Sequence, residues 1–169
     1  MSMSSAMRLI IPVIGFFLIT AVQASAAGVS PARQTCIRDA MASGTAAVGN
    51  SARLNTLYER YFVEEDIARV AAGKDWMQYD AGRKSAQRNR VRRFVVEKLA
   101  PSLSEYGASN VKLVSENGSK VRGIITQPNG NKRTVTFDFA GPCQFVNITI
   151  TGFGSLISFI GKEQPRPGK

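Results

Sequence analysis

The densest chemistry in this sequence is a run of basic residues between positions 83 and 93. The run contains no acidic residue, and its members are Arg83, Lys84, Arg88, Arg90, Arg92 and Arg93. Guanidinium and ammonium groups bind phosphates and carboxylates through charge-assisted hydrogen bonds. The run therefore predicts contact with an anionic group. Two placements stay open: it flanks the mouth of an apolar cavity, or it overhangs into water.

Catalytic chemistry is poorly represented elsewhere. The chain has no histidine, which excludes histidine-based triads, most zinc sites and a histidine general base. It also lacks a glycine-rich phosphate loop, a CxxC pair, an HExxH motif and a nucleophile elbow. The acids Glu64, Glu65 and Asp66 suit the start of a helix. We predict a binding protein that is not an enzyme and uses no cofactor or metal. The rival reading is a small exported enzyme that uses Asp138 or Glu64.

The amino terminus has the layout of a secretory signal peptide. Arg8 precedes an apolar run from Leu9 to Val22, and a small-x-small site ends at Ala26. We predict a signal peptide over residues 1–26 and a periplasmic protein. A retained membrane anchor is the alternative, but a run of about 14 residues is short for a span.

The charge balance points to an anionic partner. The chain carries 22 basic and 12 acidic residues, and residues 1–26 contain one of the basic ones, so the remainder has a net charge of +9. Phospholipid head groups, acidic proteins and nucleic acid all fit such a charge. Export makes nucleic acid the least natural of them, and we predict no nucleic-acid partner.

Two cysteines, Cys36 and Cys143, lie far apart in the chain. In an oxidising compartment a pair of cysteines predicts one disulfide, which would tie the first helix to the sheet. Two free buried thiols are the alternative.

Helical periodicity dominates the first half of the chain. It predicts helices over residues 31–42, 51–61 and 64–72, a Gly/Ala/Ser-rich break over 43–50, and a long helix that begins near 81–85. Gly73 is a stop signal, and Pro101 should kink or break the long helix. On that helix Lys84, Arg88 and Arg92 share an arc with the apolar positions Val95, Leu99 and Tyr106.

After residue 109 the hydrophobic period changes to two. We predict four strands, at about 111–115, 120–127, 133–140 and 144–151, joined by short turns into an antiparallel meander. Val146, Ile148 and Ile150 should point inward from the last strand. A short helix over 153–161 and a flexible basic tail over 163–169 follow. The predicted fold is α+β, with helices packed on the apolar face of one sheet in a single domain over residues 27–162.

Two spans resemble the MlaC family, also called the toluene-tolerance auxiliary family of periplasmic lipid carriers. In the first, an aromatic and an acid precede Ile67-Ala68-Arg69, and Gly73 comes shortly before Trp76. Gln87, Phe94, Leu103 and Tyr106 follow it, similar to the family's Gln-Arg helix that ends in Leu-x-x-Tyr. In the second, a strand ending at Gly152 precedes Ser155-Leu156-Ile157, similar to the family's final strand and Gly-x-Ser-Leu.

The resemblance covers about residues 51–162, with departures. Cys143 stands where the family usually has Trp, Gly154 is an extra residue, and the Asp usual before the last Gly and the Arg usual in the closing helix are absent. These differences predict a divergent, short member of the family. A related branch that is associated with hopanoid lipids is an alternative placement.

The resemblance implies an apolar cavity between the helices and the sheet that holds phospholipid acyl chains. It also implies a monomeric carrier that docks transiently on an outer-membrane lipoprotein complex and an inner-membrane ABC transporter, and that serves outer-membrane lipid asymmetry. A carrier of hopanoids or other lipids, or an exported interaction module with a basic surface, is the alternative. We predict head-group contact from Arg88 and Arg92. The predicted cavity lining is Phe62, Ile67, Val70, Phe94, Leu99, Leu103, Val135, Phe137, Ile148 and Ile150.

Overall fold

The computed structural model describes residues 28–104 and 110–162, with side chains described up to residue 102 and again from residue 110. The predicted signal peptide (1–26), the basic tail (163–169) and Tyr106 lie outside the described residues. Within the described ranges, no helix is both long and apolar enough to cross a membrane.

Six α-helices and two irregular helical segments are present in these ranges. They are α1 (Pro31–Ala47), α2 (Ser51–Tyr61), α3 (Glu64–Ala72), a 3₁₀ turn (Gly73–Gln78), α4 (Ala81–Phe94), a π-helical segment (Val95–Leu99), α5 (Ala100–Ser104) and α6 (Leu156–Lys162).

Side-chain caps define where two of these helices begin. The Asn50 side chain accepts a hydrogen bond from the Arg53 amide (3.0 Å) at the start of α2, and Asp80 accepts one from the Arg83 amide (2.7 Å) at the start of α4. The third helix ends as predicted at Gly73, whose φ of 61° lies in the left-handed region that favours glycine.

The predicted break over 43–50 is wrong, because α1 continues to Ala47. Gly44 and Ala47 are buried, and a Cβ built on Gly44 would lie 3.8 Å from Leu57 Cδ1. The small residues therefore allow α1 to pack closely on α2, and the turn occupies only residues 48–50.

The long helix is also not broken at Pro101, which lies within α5. The π-helical segment comes directly before α5, so the backbone from Ala81 to Ser104 stays helical. In a regular α-helix the Pro101 ring would meet the carbonyl group of Glu97. The wider π turn lies where that conflict would arise.

The sheet is an antiparallel meander of five strands. They are β1 (Val111–Asn117), β2 (Lys120–Thr126), β3 (Lys132–Gly141), β4 (Gln144–Ile150) and β5 (Gly154–Ser155), in that spatial order. The four predicted strands are confirmed, and β5 is an addition. Gly152 (φ 85°) and Gly154 (φ 111°) turn the chain back so that Ser155 pairs with Thr149. The last helix therefore starts at Leu156, later than predicted.

One irregularity changes which residues of β4 face the core. The register between β3 and β4 shifts between Asp138 and Phe139, which face Asn147 and Phe145 respectively. The shift turns Phe145 into the core at 2% exposure and leaves Val146 only half-buried. Val146 was predicted to point inward. The register shift is a β-bulge, and because of it Phe145 points into the core instead of Val146.

The helices cover the apolar face of the sheet, which confirms the α+β prediction. The segment between α2 and α3 is joined to β4 by a backbone hydrogen bond, in which the Val63 amide donates to the Phe145 carbonyl (3.1 Å). The disulfide predicted between Cys36 and Cys143 is present, with a Cα–Cα distance of 5.4 Å, and it ties α1 to the β3–β4 turn.

Candidate functional site

An apolar cavity lies between the helices and the sheet. Its volume is about 40 Å³, and residues of α1, α2, the π-helical segment, α5 and the inner faces of β3 and β4 line it. Every described residue that lines it is apolar or glycine: Ala40, Met41, Gly44, Leu57, Phe62, Val95, Leu99, Ala100, Phe137, Phe145 and Ile148.

The structure brings four of the predicted lining residues together at this cavity, namely Phe62, Leu99, Phe137 and Ile148. The others lie elsewhere. Ile67 and Val135 are fully buried in the surrounding core, whereas Phe94 and Ile150 are partly buried and pack against it. Leu103 belongs to α5, but its side chain is not among those described.

Val70 faces the wrong way for a lining residue, with 51% of its surface exposed. The buried side of α3 carries Ile67, Ala68 and Ala72. Val70 is about 200° around the helix from both Ala68 and Ala72, since each residue adds about 100°. Its predicted place in the cavity is therefore wrong.

Sequence reasoning missed seven of the described lining residues, and α1 supplies three of them, more than any other element. Ala40, Met41 and Gly44 line the cavity, and Cys36 lies four residues before Ala40 on the same side of the helix. Residues at i and i+4 share a helix face. Once a disulfide to the sheet is assumed, the face of α1 that carries Cys36 must point toward the sheet. That signal was available in the sequence.

The size of the cavity limits what it holds in this conformation. Pockets for small molecules usually measure roughly 300–1,000 Å³, and one water molecule occupies about 30 Å³ of liquid volume. A cavity of about 40 Å³ is far smaller than a lipid acyl chain requires. A larger apolar ligand can enter only if the elements around the cavity separate. The described lining residues carry no polar side chain, so the site is suited to an apolar molecule.

The groups considered for an enzymatic role lie away from this lining. Asp138 is on the other face of β3, where its carboxylate accepts hydrogen bonds from Lys120 Nζ (2.6 Å) and Asn147 Nδ2 (3.2 Å). Glu64 pairs with Arg92 at the surface. The part of the chain that is described contains no group of three Cys, Asp or Glu residues placed to hold a metal ion.

Arg88 and Arg92 lie on the flank of α4 that faces α2 and α3. Arg92 donates to Glu59 (2.9 Å) and Glu64 (3.1 Å), and Arg88 donates to Glu65 (2.9 Å). The hydrogen bond to Glu59 is the main reason that the pKa of Arg92 is raised above its ordinary value. Both charges are therefore balanced by carboxylates in this conformation, and their contact with a lipid head group stays a prediction.

Replacing Arg92 by Glu is expected to lower the free energy of unfolding by roughly 1–2 kcal/mol. Partly exposed ion pairs contribute up to about 1 kcal/mol each. The substitution removes two such pairs and places the new carboxylate next to those of Glu59 and Glu64, which repel it. Urea denaturation measures the change. Combining Arg92→Glu with Glu64→Arg should restore part of the loss, and additive effects of the two changes would show that the pair makes no contribution.

Comparisons with known proteins agree on the fold. A family model described as MlaC protein matches residues 37–160. The solved structure of the phospholipid-binding protein from Ralstonia solanacearum, in complex with a phospholipid, superposes with a TM-score of 0.59 at 14% sequence identity. That alignment covers 81% of this chain and 85% of the other. No curated protein sequence matches this chain.

Proposed function

The chain belongs to the MlaC family, and on that premise we propose that it is a periplasmic lipid carrier that holds phospholipid acyl chains between its helices and its sheet. The observation that carries the proposal is the cavity at the junction of the two layers, whose described lining consists of apolar residues and one glycine. Acyl chains in such a place are removed from water, which is favourable by about 0.8 kcal/mol for each buried CH₂ group.

We propose that lipid enters by moving the π-helical segment and α5 away from α1 and the sheet. Val95, Leu99 and Ala100 form this side of the cavity. The opposite wall is less free to move, because the disulfide at Cys36 holds α1 to the β3–β4 turn. The disulfide does not involve the segment around Pro101. Proline has no backbone N–H, so Pro101 cannot donate a hydrogen bond within the helix. Such irregular helical turns occur frequently at functional sites.

We further propose that the carrier moves lipid through the periplasm between an outer-membrane lipoprotein complex and an inner-membrane ABC transporter. The family supports this role, as does the secretory pattern of residues 1–26. A cavity that closes over its contents suits passage through water, because exposed acyl chains would favour aggregation or return to a bilayer. In this role the protein acts as a monomer and contributes to outer-membrane lipid asymmetry and toluene tolerance.

Native mass spectrometry of protein purified from a bacterial periplasm tests the carrier function. We expect the mass of one protein molecule with one bound lipid, and solvent extraction with tandem mass spectrometry then distinguishes a phospholipid from a hopanoid. A lipid-free mass that stays unchanged after incubation with phospholipid vesicles would contradict the proposal. Recovery of an acidic protein in place of lipid would favour the interaction module.

A further inference from the structure

The basic residues of α4 and the segment after it divide into two groups by their surroundings. Arg88 and Arg92 face carboxylates of α2 and α3, as described above. The remaining group forms no ion pair with any residue in the described ranges: Arg83, Lys84, Arg90, Arg93 and Lys98. Lys84 instead lies over the Trp76 ring, with its Nζ 5.4 Å from the ring centroid. Arg90 donates to Gln87 of its own helix (3.1 Å), whereas Arg93 and Lys98 are exposed.

Three of these unpaired cations, Arg90, Arg93 and Lys98, line an open groove of about 360 Å³ along the outer side of the helix. Its described lining is Ala86, Asn89, Arg90, Arg93, Phe94, Glu97 and Lys98. Three cations and a single acid give the groove a net positive charge. The groove and the apolar cavity have no described lining residue in common, so they are separate sites.

An exposed aromatic side chain packs on Phe94, one of the residues that line this groove. Phe94 stacks on Phe159 of α6, with ring centroids 5.5 Å apart and an interplanar angle of 21°. Phe159 keeps 37% of its surface exposed. Aromatic rings beside basic residues are the composition that binds at a membrane interface, where cations meet phosphate groups and rings enter the boundary of the acyl region.

We propose that this surface, formed by Arg90, Arg93, Lys98 and Phe159, docks the protein on bilayers that contain anionic phospholipid. The occupant is a bilayer because the groove opens to the surface, is charged opposite to the lipid phosphates, and has the Phe94 ring, stacked on Phe159, among its cations. The docking surface adds a membrane contact to the proposed carrier function. It does not depend on cargo in the cavity, since the two sites are separate.

Flotation with vesicles tests this surface on protein purified from the periplasm. Vesicles of phosphatidylcholine, with or without phosphatidylglycerol, are mixed with the wild type and with the double variant Arg90→Gln/Arg93→Gln. Each basic residue near an anionic surface contributes about a fivefold factor in partitioning, so the double variant should bind phosphatidylglycerol vesicles roughly thirtyfold more weakly. Added salt should weaken wild-type binding, because it screens exposed charges.

The matched control is Arg53→Gln/Arg60→Gln, which removes two exposed charges from α2. We expect it to bind vesicles as the wild type does. Equal losses in both double variants would overturn the proposal, because binding would then follow net charge alone. Failure of the wild type to bind phosphatidylglycerol vesicles would also overturn it and favour an acidic protein as occupant.

Lipid content, measured by native mass spectrometry on the same samples, separates docking from carriage. Arg90→Gln/Arg93→Gln should retain wild-type lipid, since neither residue lines the apolar cavity or belongs to the π-helical segment. Vesicle binding by a wild type without cargo would leave the docking surface in place while contradicting the carrier function. Loss of cargo in this variant together with vesicle binding would overturn the assignment of a separate docking surface.

Discussion

Replacing Cys36 and Cys143 together by Ser is expected to lower the free energy of unfolding by about 4 kcal/mol. The disulfide joins residues separated by 107 positions, and a cross-link over so long a loop strongly restricts the unfolded chain. Domains of this kind usually have total stabilities of only about 5–15 kcal/mol. The loss is therefore a large share of the stability, and the variant should accumulate poorly in the periplasm.

Urea denaturation of the wild type and the double Ser variant, each with and without dithiothreitol, measures this effect. Reductant should destabilise the wild type to the level of the variant and should leave the variant unchanged. A difference below about 1 kcal/mol would contradict the prediction and would mean that noncovalent packing alone fixes α1, as happens for some cross-links whose unfolded state keeps structure.

The disulfide also has a functional consequence, because it anchors one wall of the cavity. Cys36 lies on the same side of α1 as Ala40 and Gly44, which line the cavity. If α1 loosens, the apolar lining becomes accessible to water and the retained lipid should exchange faster. Lipid retention in the Ser variant at low temperature, where the variant stays folded, reports this effect separately from unfolding.

The fold follows from the sequence wherever a periodic pattern extends over several residues. The period of two predicted four strands, and Gly73 predicted the end of α3. Prediction failed where the signal was short or ambiguous. The two residues of β5 are too few to show a period. Gly44 was taken as part of a break because small residues occur both in turns and where helices pack closely.

The site was predictable in part, for a similar physical reason. Large apolar residues on a periodic face led to Phe62, Phe137 and Ile148, which line the cavity, and their contact with lipid stays a prediction. Ala40 and Gly44 were missed, because the residues that leave room for a cavity are small and carry little hydrophobic signal.

Head-group contact by Arg88 and Arg92 stays a prediction, but their ion pairs with carboxylates were not predicted from the sequence. A sequence gives the charge of Arg92 but not its partner, and Glu59 lies 33 positions away. The proposed docking surface on the outer side of α4 could be recognised only from the structure, which shows which cations form ion pairs and which do not.

Replacing Ala40 by Phe should prevent lipid binding while leaving the protein folded. Ala40 lines the cavity, and the added ring carries more volume than the roughly 40 Å³ that is open. Each CH₂ group displaced from the lining removes about 0.8 kcal/mol of binding free energy, so losing two already weakens binding more than tenfold. Overpacking costs about 1–3 kcal/mol of stability, which an intact disulfide helps the protein to tolerate.

The control is Ala42→Phe, which adds the same ring to α1 at an exposed position about 200° around the helix from Ala40. Native mass spectrometry should find lipid on Ala42→Phe and a lipid-free mass for Ala40→Phe, with thermal melts showing that both variants are folded. Wild-type lipid content in a folded Ala40→Phe variant would place the acyl chains outside the cavity. The result matters because the cavity is small at rest. A ligand that enters this space by moving the π-helical segment and α5 is excluded by a ring at residue 40. The same ligand still binds when the ring is at residue 42.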